Sequence, residues 1–279
     1  MTQQQQLNPN PQAAQARARI EAMKRQFEQR RAISGALAKV KHQVGVYSGK
    51  GGVGKTTVAV NLAVTLAQEG AKVGILDVDI DCPNVVRAMK LYEPPVASED
   101  NRMTPPERFG VKVMSMAFFQ QKEDEAIIWR GPMVHNAIQQ LLQATDWGEL
   151  DYLIADLPPG TSDAPLTVMQ TLSMDGFVVV TTPQELAIVD AKRSINMIKT
   201  LKINVLGIVE NFSGDMFGSG GGEALAAEMG LRFLGRTQMR KDYRDTSKPA
   251  VLTGKDVRKE YEHIAAGVKQ ALAESAASS

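Results

Sequence analysis

A glycine-rich segment between a predicted strand and a predicted helix constrains this sequence most strongly. Apolar residues from 44 to 47 favour a buried strand, and the Ala-, Leu- and Val-rich stretch from Thr56 favours a helix. Between them, residues 49–56 follow the spacing Gly-x-x-x-x-Gly-Lys-Thr, which surrounds an anion with backbone N–H groups and a helix N-terminus. This strand–loop–helix order is the setting that a phosphate-binding loop requires. The sequence therefore predicts an α/β domain that binds a nucleotide through its phosphates.

The side chains of this loop have distinct predicted roles. Lys55 should reach the β- and γ-phosphates of ATP, and the hydroxyl of Thr56 should ligate Mg²⁺. The remaining residues should contact phosphate mainly through their backbone N–H groups. The full predicted set is Gly49, Gly51, Gly52, Val53, Gly54, Lys55, Thr56 and Thr57.

Composition narrows the class of protein. The 279 residues are 43% hydrophobic and 23% charged, which is typical of a soluble α/β domain with a buried core. A net charge of +1 argues against nucleic-acid binding driven by bulk charge. The single cysteine, Cys82, excludes an intramolecular disulfide. With no apolar signal peptide or membrane span in the sequence, we expect a cytoplasmic protein.

Strand and helix patterns alternate after the glycine loop. Predicted strands lie near 72–77, 111–116, 151–156, 176–181 and 205–210, and predicted helices near 56–69, 132–145, 185–201, 223–229 and 255–273. Several strands are continuous apolar runs, as expected for parallel strands covered on both faces. The pattern predicts a doubly wound, mostly parallel sheet flanked by helices, with ligands at the carboxyl ends of its strands. Residues 93–108 are rich in proline and are predicted to be an irregular surface loop.

The first 41 residues differ from the rest in composition. A Gln-, Asn- and Pro-rich tail precedes a basic stretch from about 13 to 40 that favours a helix. We therefore expect an N-terminal helical extension over 1–41 and the nucleotide-binding domain over 42–279. The helix could pack on the core or on a second subunit, or it could contact an acidic partner, an anionic membrane or nucleic acid.

Two acidic motifs end predicted strands at the sheet edge that holds the loop. Asp77 and Asp79 follow one strand, and Asp156 begins the sequence Asp-Leu-Pro-Pro-Gly-Thr after another. We assign Asp79 to orienting or activating the attacking water, and Asp77 and Asp156 to the Mg²⁺ shell, although roles within the trio could be exchanged. The N–H of Gly160 could sense a γ-phosphate.

A second lysine, Lys50, directly follows the first glycine of the loop. The segment Lys-Gly-Gly-Val-Gly-Lys-Thr-Thr over 50–57 resembles the deviant Walker A motif of the MinD/ParA/nitrogenase-iron-protein superclass. This resemblance implies a homodimer in which Lys50 crosses to the partner's nucleotide. A cation supplied in this way neutralises charge on the transferred phosphoryl group.

Downstream motifs are similar to those of Mrp/ApbC-type ATPases, in order from about residue 42 to 270. They lie at 129–132, 146–152, 156–163, 181–184, 209–213, 217–223 and 233–236. The resemblance implies a dimeric ATPase that binds and transfers iron–sulfur clusters. It also implies that Asn211 reads the adenine edge, which suits an amide that can donate and accept together.

The sequence departs from this family where the cluster would bind. Carriers of this type have a Cys-x-x-Cys before the glycine-rich element, whereas this chain has only Gly214, Asp215 and Met216 there. An ordinary cluster needs four thiolate ligands, and two copies of the chain offer two. We therefore do not expect an iron–sulfur cluster from this chain alone.

Two functions remain open at this point. The first is an ATP-driven switch that is accessory to iron–sulfur or metalloenzyme maturation, whose turnover is slow until a client or activating protein stimulates it. The alternative is a MinD/ParA-like positioning ATPase that acts on a membrane, DNA or protein surface. The basic N-terminal helix is the feature that such a surface would use.

Overall fold

A computed structural model describes residues 11–97, 102–119 and 131–278. The start of the motif at 129–132 lies outside these described residues. The helices are α1 Pro11–Leu37, α2 Lys55–Gln68, α3 Val85–Met89, α4 Gly131–Ala144, α5 Asp163–Thr171, α6 Glu185–Thr200, α7 Gly221–Met229 and α8 Lys255–Ser278. The strands are β1 Val40–Tyr47, β2 Val73–Asp77, β3 Val96–Ala97, β4 Met103–Thr104, β5 Glu107–Arg108, β6 Val111–Ser115, β7 Leu150–Asp156, β8 Gly176–Thr181, β9 Val205–Ser213 and β10 Phe233–Gln238.

Eight of these strands form one twisted sheet in the order β10-β9-β8-β1-β7-β2-β6-β5. All neighbours are parallel except β5 and β6. The register aligns Val46 with Asp156 and Asp77 with Asp156, so the carboxyl ends of β1, β2 and β7 meet at one edge. The prediction of a doubly wound, mostly parallel sheet is confirmed.

Helices cover both faces of the sheet and create two hydrophobic layers. Residues of α2, α3 and α8 pack on one face, and residues of α1, α4, α5, α6 and α7 pack on the other. Because side chains alternate along a strand, Val46 of β1 enters the first layer and Tyr47 enters the second. Both faces are therefore apolar, and polar groups gather at the strand ends.

Several elements of the structure differ from the sequence-based prediction. The edge strand β10 and the helices α3 and α5 were not predicted, and 93–108 was wrongly predicted to lack regular structure. That segment contains the short antiparallel pair β3 and β4 and the strand β5, which pairs with β6. Each of these strands is two residues long; β3 and β4 lie between the two proline pairs and β5 follows the second pair, so no proline has to donate to a ladder.

The N-terminal extension ends inside the core. Ile33 and Leu37, in the last turns of α1, are buried in the same layer as α4, and β1 already begins at Val40. Earlier in α1, Ile20 and Met23 are 54% and 70% exposed. Over the described part of the chain, none of the helices combines the length and apolar character needed to cross a membrane.

Candidate nucleotide site

The glycine loop connects the end of β1 to the first residue of α2. Gly52 and Gly54 both have φ of +82°, a left-handed conformation that glycine adopts without strain. A Cβ atom added at Gly52 would meet nothing within 4 Å, so the loop is open on this side. Gly54 caps α2 without any side-chain hydrogen bond, which leaves the first N–H groups of the helix for an external acceptor. The loop thus has the form of an anion cradle.

Close neighbours also require glycine at Gly49 and, for a second reason, at Gly54. A Cβ atom at Gly49 would lie 2.2 Å from the carbonyl oxygen of Asp190 in α6. A Cβ atom at Gly54 would lie 2.1 Å from Nδ2 of Asn211 in β9. The loop is therefore fixed between α6 and the end of β9.

Lys55 is only 6% exposed and points into a group of carboxylates. Its Nζ lies 2.6 Å from Oδ1 of Asp156 and 3.5 Å from Oδ2 of Asp79. The hydroxyl of Thr56 donates to the other oxygen of Asp156 at 2.6 Å. The structure therefore brings together Lys55, Thr56, Asp79 and Asp156, and Asp156 links the loop to the end of β7.

Asp77 faces a different set of partners. Its carboxylate accepts hydrogen bonds from the N–H groups of Asp79 and Val85 and from the hydroxyl of Ser115. These bonds connect β2 to the start of α3 and to β6, so Asp77 organises the segment that carries Asp79. Burial, and then the nearby Asp156 carboxylate, raise the pKa of Asp77 to about 8. Burial also raises the pKa of Asp79.

The charges of the site fit a divalent cation bound with a nucleotide. Asp79 and Asp156 are buried beside Lys55, so the carboxylates outnumber the ammonium group even without Asp77. Within the described ranges, no group of three or more His, Cys, Asp or Glu residues has the arrangement to hold a metal ion alone. Mg²⁺ at phosphate sites keeps several waters and uses one or two protein oxygens with substrate phosphates. Thr56 and Asp156 supply such a donor pair, whereas Asp77 is engaged elsewhere.

Gly160 lies directly over the start of the loop. Its N–H donates to the carbonyl oxygen of Ser48 at 3.0 Å, and its own carbonyl accepts the hydroxyl proton of Tyr47. The N–H that we predicted to sense a γ-phosphate is therefore bonded to the protein in this state. Its sensing role stays a prediction.

Asn211, in β9, holds the backbone of the glycine loop. Its Nδ2 donates to the carbonyl of Val53 at 2.7 Å, and its Oδ1 accepts the hydroxyl proton of Thr237 at 2.5 Å. The side chain is 1% exposed. Because one N–H is directed to Val53, the geometry gives Asn211 a part in holding the phosphate loop, and the reading of adenine stays a prediction.

Lys50 lies at the outer side of the site. Its carbonyl accepts a hydrogen bond from the hydroxyl of Ser48 at 3.0 Å, which holds its backbone. Its side chain forms no ion pair with any residue of the described ranges. Lys50 is half-buried, and Gly51 and Gly52 next to it are exposed.

A cavity of about 470 Å³ adjoins Thr56 and Thr57. It lies between α2, α3 and the segment 243–250, and is large enough for the nucleoside part of a nucleotide. Sequence reasoning missed its other lining residues, because they come from segments with no phosphate-loop signal. They include Asn61, Asn84, Arg87, Lys90, Tyr243 and Lys248.

Neither Cys82 nor the glycine-rich segment from 214 to 223 is among the residues that line this cavity. The side chain of Cys82 is an exposed free thiol, and its backbone N–H donates to the carboxylate of Asp79. Residues 214–218 form a tight loop closed by two hydrogen bonds between the backbones of Gly214 and Gly218. Met216, at the tip of this loop, is 79% exposed. The buried carboxylate of Glu210 accepts the N–H groups of Gly220 and Gly222 and so anchors the segment that follows.

Known proteins share both the sequence and the fold. A family model described as the NUBPL iron-transfer P-loop NTPase matches residues 39–271. The iron–sulfur cluster carrier protein of Deinococcus radiodurans is 47% identical over 238 residues, covering 80% of this chain and 67% of that protein. The iron–sulfur cluster transfer protein NUBPL of Dictyostelium discoideum is 43% identical over 236 residues, covering 79% and 73% of the two chains.

Solved structures agree with this grouping. A nucleotide-binding protein of Archaeoglobus fulgidus in complex with ADP superposes with a TM-score of 0.69 at 37% identity, covering 79% of this chain and 91% of that one. The cell division ATPase MinD of Pyrococcus furiosus has a TM-score of 0.65 at 22% identity, covering 82% and 99%, and shows the shared fold. This chain therefore belongs to the NUBPL iron-transfer P-loop NTPases of the ParA group, as its resemblance to Mrp/ApbC-type proteins predicts.

Proposed function

We propose that the protein is a Mg²⁺-dependent ATPase whose nucleotide state controls the contact between two copies of the chain. The observation that carries this proposal is the buried Lys55, held by Asp156 and Thr56 under an open glycine loop. A phosphate group in the loop would take the lysine ammonium from Asp156. The carboxylate of Asp156 would then be available to the cation that accompanies the nucleotide.

The carboxylates support hydrolysis of the terminal phosphate. Asp79 is the group that we assign to accepting a proton from the attacking water, and burial raises its pKa, which makes it a stronger base. The water oxygen forms a bond to the γ-phosphorus while the bond from that phosphorus to the β,γ-bridging oxygen breaks, which yields ADP and phosphate. Thr56 and Asp156 would hold the Mg²⁺ ion, which would supply charge neutralisation at the phosphate oxygens.

Lys50 is the residue through which we propose that each subunit contacts the nucleotide of the other. Its side chain has no ion pair within the described residues and belongs to the exposed rim of the loop. In a symmetric dimer, each Lys50 would stabilise charge on the nucleotide of the other subunit. Turnover should be slow until a client or activating protein completes the arrangement.

We propose that the switch is accessory to iron–sulfur or metalloenzyme maturation and acts in the cytoplasm. The iron–sulfur part is supported by two relatives, which are named as an iron–sulfur cluster carrier and an iron–sulfur cluster transfer protein. The chain itself contains one cysteine, Cys82, and has Gly-Asp-Met at 214–216. We therefore propose that it acts with a client that supplies the thiolates.

Nucleotide binding is tested with Lys55→Ala and, as a control, Lys199→Ala at the exposed end of α6. Binding of ADP and of a non-hydrolysable ATP analogue is measured by calorimetry, and phosphate release by a coupled assay. Hydrogen bonds to charged groups contribute about 1.5–3 kcal/mol each, so Lys55→Ala should weaken binding at least about tenfold. Wild-type affinity and turnover in Lys55→Ala would contradict the proposal.

The cargo role is tested by anaerobic reconstitution with iron and sulfide. We expect no stable iron–sulfur chromophore from this chain alone, because four thiolates are needed. One robust cluster per dimer would contradict this part of the proposal.

The alternative of a positioning ATPase is favoured by one observation, the exposure of Ile20 and Met23 on the basic helix α1. Co-sedimentation with anionic vesicles or DNA, with and without ATP, distinguishes it. The matched variant is Ile20→Ser with Met23→Ser, since removing the helix would also remove the buried Ile33 and Leu37. ATP-dependent binding that this variant loses would support the alternative.

A further inference from the structure

The last residue of β1 is bonded to the turn that follows β7. Tyr47 is fully buried, and its hydroxyl donates to the carbonyl oxygen of Gly160. Its ring packs edge to face against Phe177, with 6.3 Å between the ring centroids. Neither the phosphate-loop pattern nor the acidic motifs give this tyrosine a role.

The same turn makes two more contacts with the start of the glycine loop. The N–H of Gly160 donates to Ser48 at 3.0 Å, and a Cβ atom added at Gly51 would lie 4.0 Å from Cγ of Pro159. Ser48 in turn donates its hydroxyl to the carbonyl of Lys50. The turn over 158–160 therefore rests on the part of the loop that carries Lys50.

These bonds direct the N–H of Gly160 toward the protein. A backbone N–H is a single donor, so it cannot serve a γ-phosphate while it serves Ser48. Rotation about Gly160 would redirect it, and this residue has φ of +87° and no neighbour within 4 Å of an added Cβ atom. The carbonyl that Tyr47 holds lies in the next peptide plane, which shares the Cα atom of Gly160, so a displacement of the whole turn that frees this N–H from Ser48 would also break the tyrosine bond.

We propose that Tyr47 is a positioning residue that stabilises the 158–160 turn in the orientation that bonds Gly160 to Ser48, and so reduces the preference of the site for ATP over ADP. The inference rests on the proposed nucleotide site. ADP has no γ-phosphate and leaves the turn in place, whereas a γ-phosphate that accepts the N–H of Gly160 would displace the turn and break the Tyr47 bond. A phenylalanine would keep the ring packing on Phe177 and remove the hydroxyl, which donates to Gly160 and also interacts with the hydroxyl of Ser194.

The test compares Tyr47→Phe with Tyr152→Phe, a control at the opposite end of the sheet where the ring stacks on His42. Dissociation constants for ADP and for a non-hydrolysable ATP analogue are measured by calorimetry with Mg²⁺ present. A net hydrogen bond of ordinary strength corresponds to about a two- to tenfold change in affinity. We expect Tyr47→Phe to bind the analogue tighter by this factor with unchanged ADP affinity, and the control to keep the wild-type ratio.

An unchanged or reduced preference for the analogue would overturn this role, as would parallel weakening of both nucleotides. The wild-type protein provides a second measurement that does not depend on the variant folding. The ¹³Cζ resonance of Tyr47 should shift with the ATP analogue and stay in place with ADP; equal responses would overturn the role. A wild-type protein that binds neither nucleotide would overturn the proposed function together with this inference, whereas an unchanged ratio in a protein that binds both overturns this inference alone.

Discussion

Burial of Asp77 should make the stability of the nucleotide-free protein fall as pH rises. The pKa of Asp77 is about 8 in the folded protein and 3.8 in its ordinary state. Between these values the folded protein holds a proton that the unfolded chain has released, so raising the pH favours unfolding. The slope is at most about 1.4 kcal/mol per pH unit, which gives an upper limit of about 3 kcal/mol between pH 5 and pH 7.

The assay is urea unfolding of wild type and Asp77→Asn at pH 5, 6 and 7 without nucleotide or Mg²⁺. Asparagine carries no charge at any pH. The substitution removes hydrogen bonds from Val85 and Ser115, and this lowers the free energy of unfolding by the same amount at each pH. The free energy of unfolding of Asp77→Asn relative to wild type should therefore increase steadily with pH. A difference that stays constant across this range would refute the argument that burial and Asp156 raise the pKa of Asp77.

Two further variants test the supports of the site. Asn211→Ala leaves the carbonyl of Val53 without its donor, a loss of about 1–3 kcal/mol, and should weaken ADP binding at least about fivefold by calorimetry; unchanged affinity would contradict the support role. Glu210→Gln keeps the shape but replaces one carboxylate oxygen that receives backbone N–H groups with a donor, and should lower the free energy of unfolding in urea by about 1–3 kcal/mol. Equal stability of Glu210→Gln and wild type would show that the carboxylate does not anchor the segment after Gly218.

The core of the fold was predictable because its signals are local. Several strands of the central sheet are continuous apolar runs between turn residues, so their positions follow from the local sequence. The edge strand β10 was missed because Gly235 and Arg236 interrupt its apolar pattern, and α5 was missed because Pro165 and two threonines weaken its helix signal. The short strands within 93–108 depend on pairing partners that no local pattern reveals.

The sequence predicted which residues belong to the site, but it predicted fewer of the contacts between them. Asp77, Asp79 and Asp156 were predicted to be neighbours because they follow parallel strands, whose carboxyl ends meet at one edge of the sheet. Asp77 accepts hydrogen bonds from Ser115 and from the start of α3. These partners, which the sequence did not reveal, decide that Asp156 and not Asp77 contacts Lys55. The bond between Tyr47 and Gly160 joins residues 113 positions apart in sequence, and no spacing rule indicates it.

The central claim is that Lys50 acts on the nucleotide of the partner subunit, and mixing two inactive variants tests it most directly. Lys50→Ala and Asp79→Asn are each expected to lose hydrolysis. If Lys50 acts across the dimer and Asp79 within its own subunit, a mixed dimer contains one complete site, so equal mixing should restore about a quarter of wild-type phosphate release. If mixed dimers form, as shown by co-purification of two tags, and phosphate release stays at the level of the single variants, the claim is contradicted.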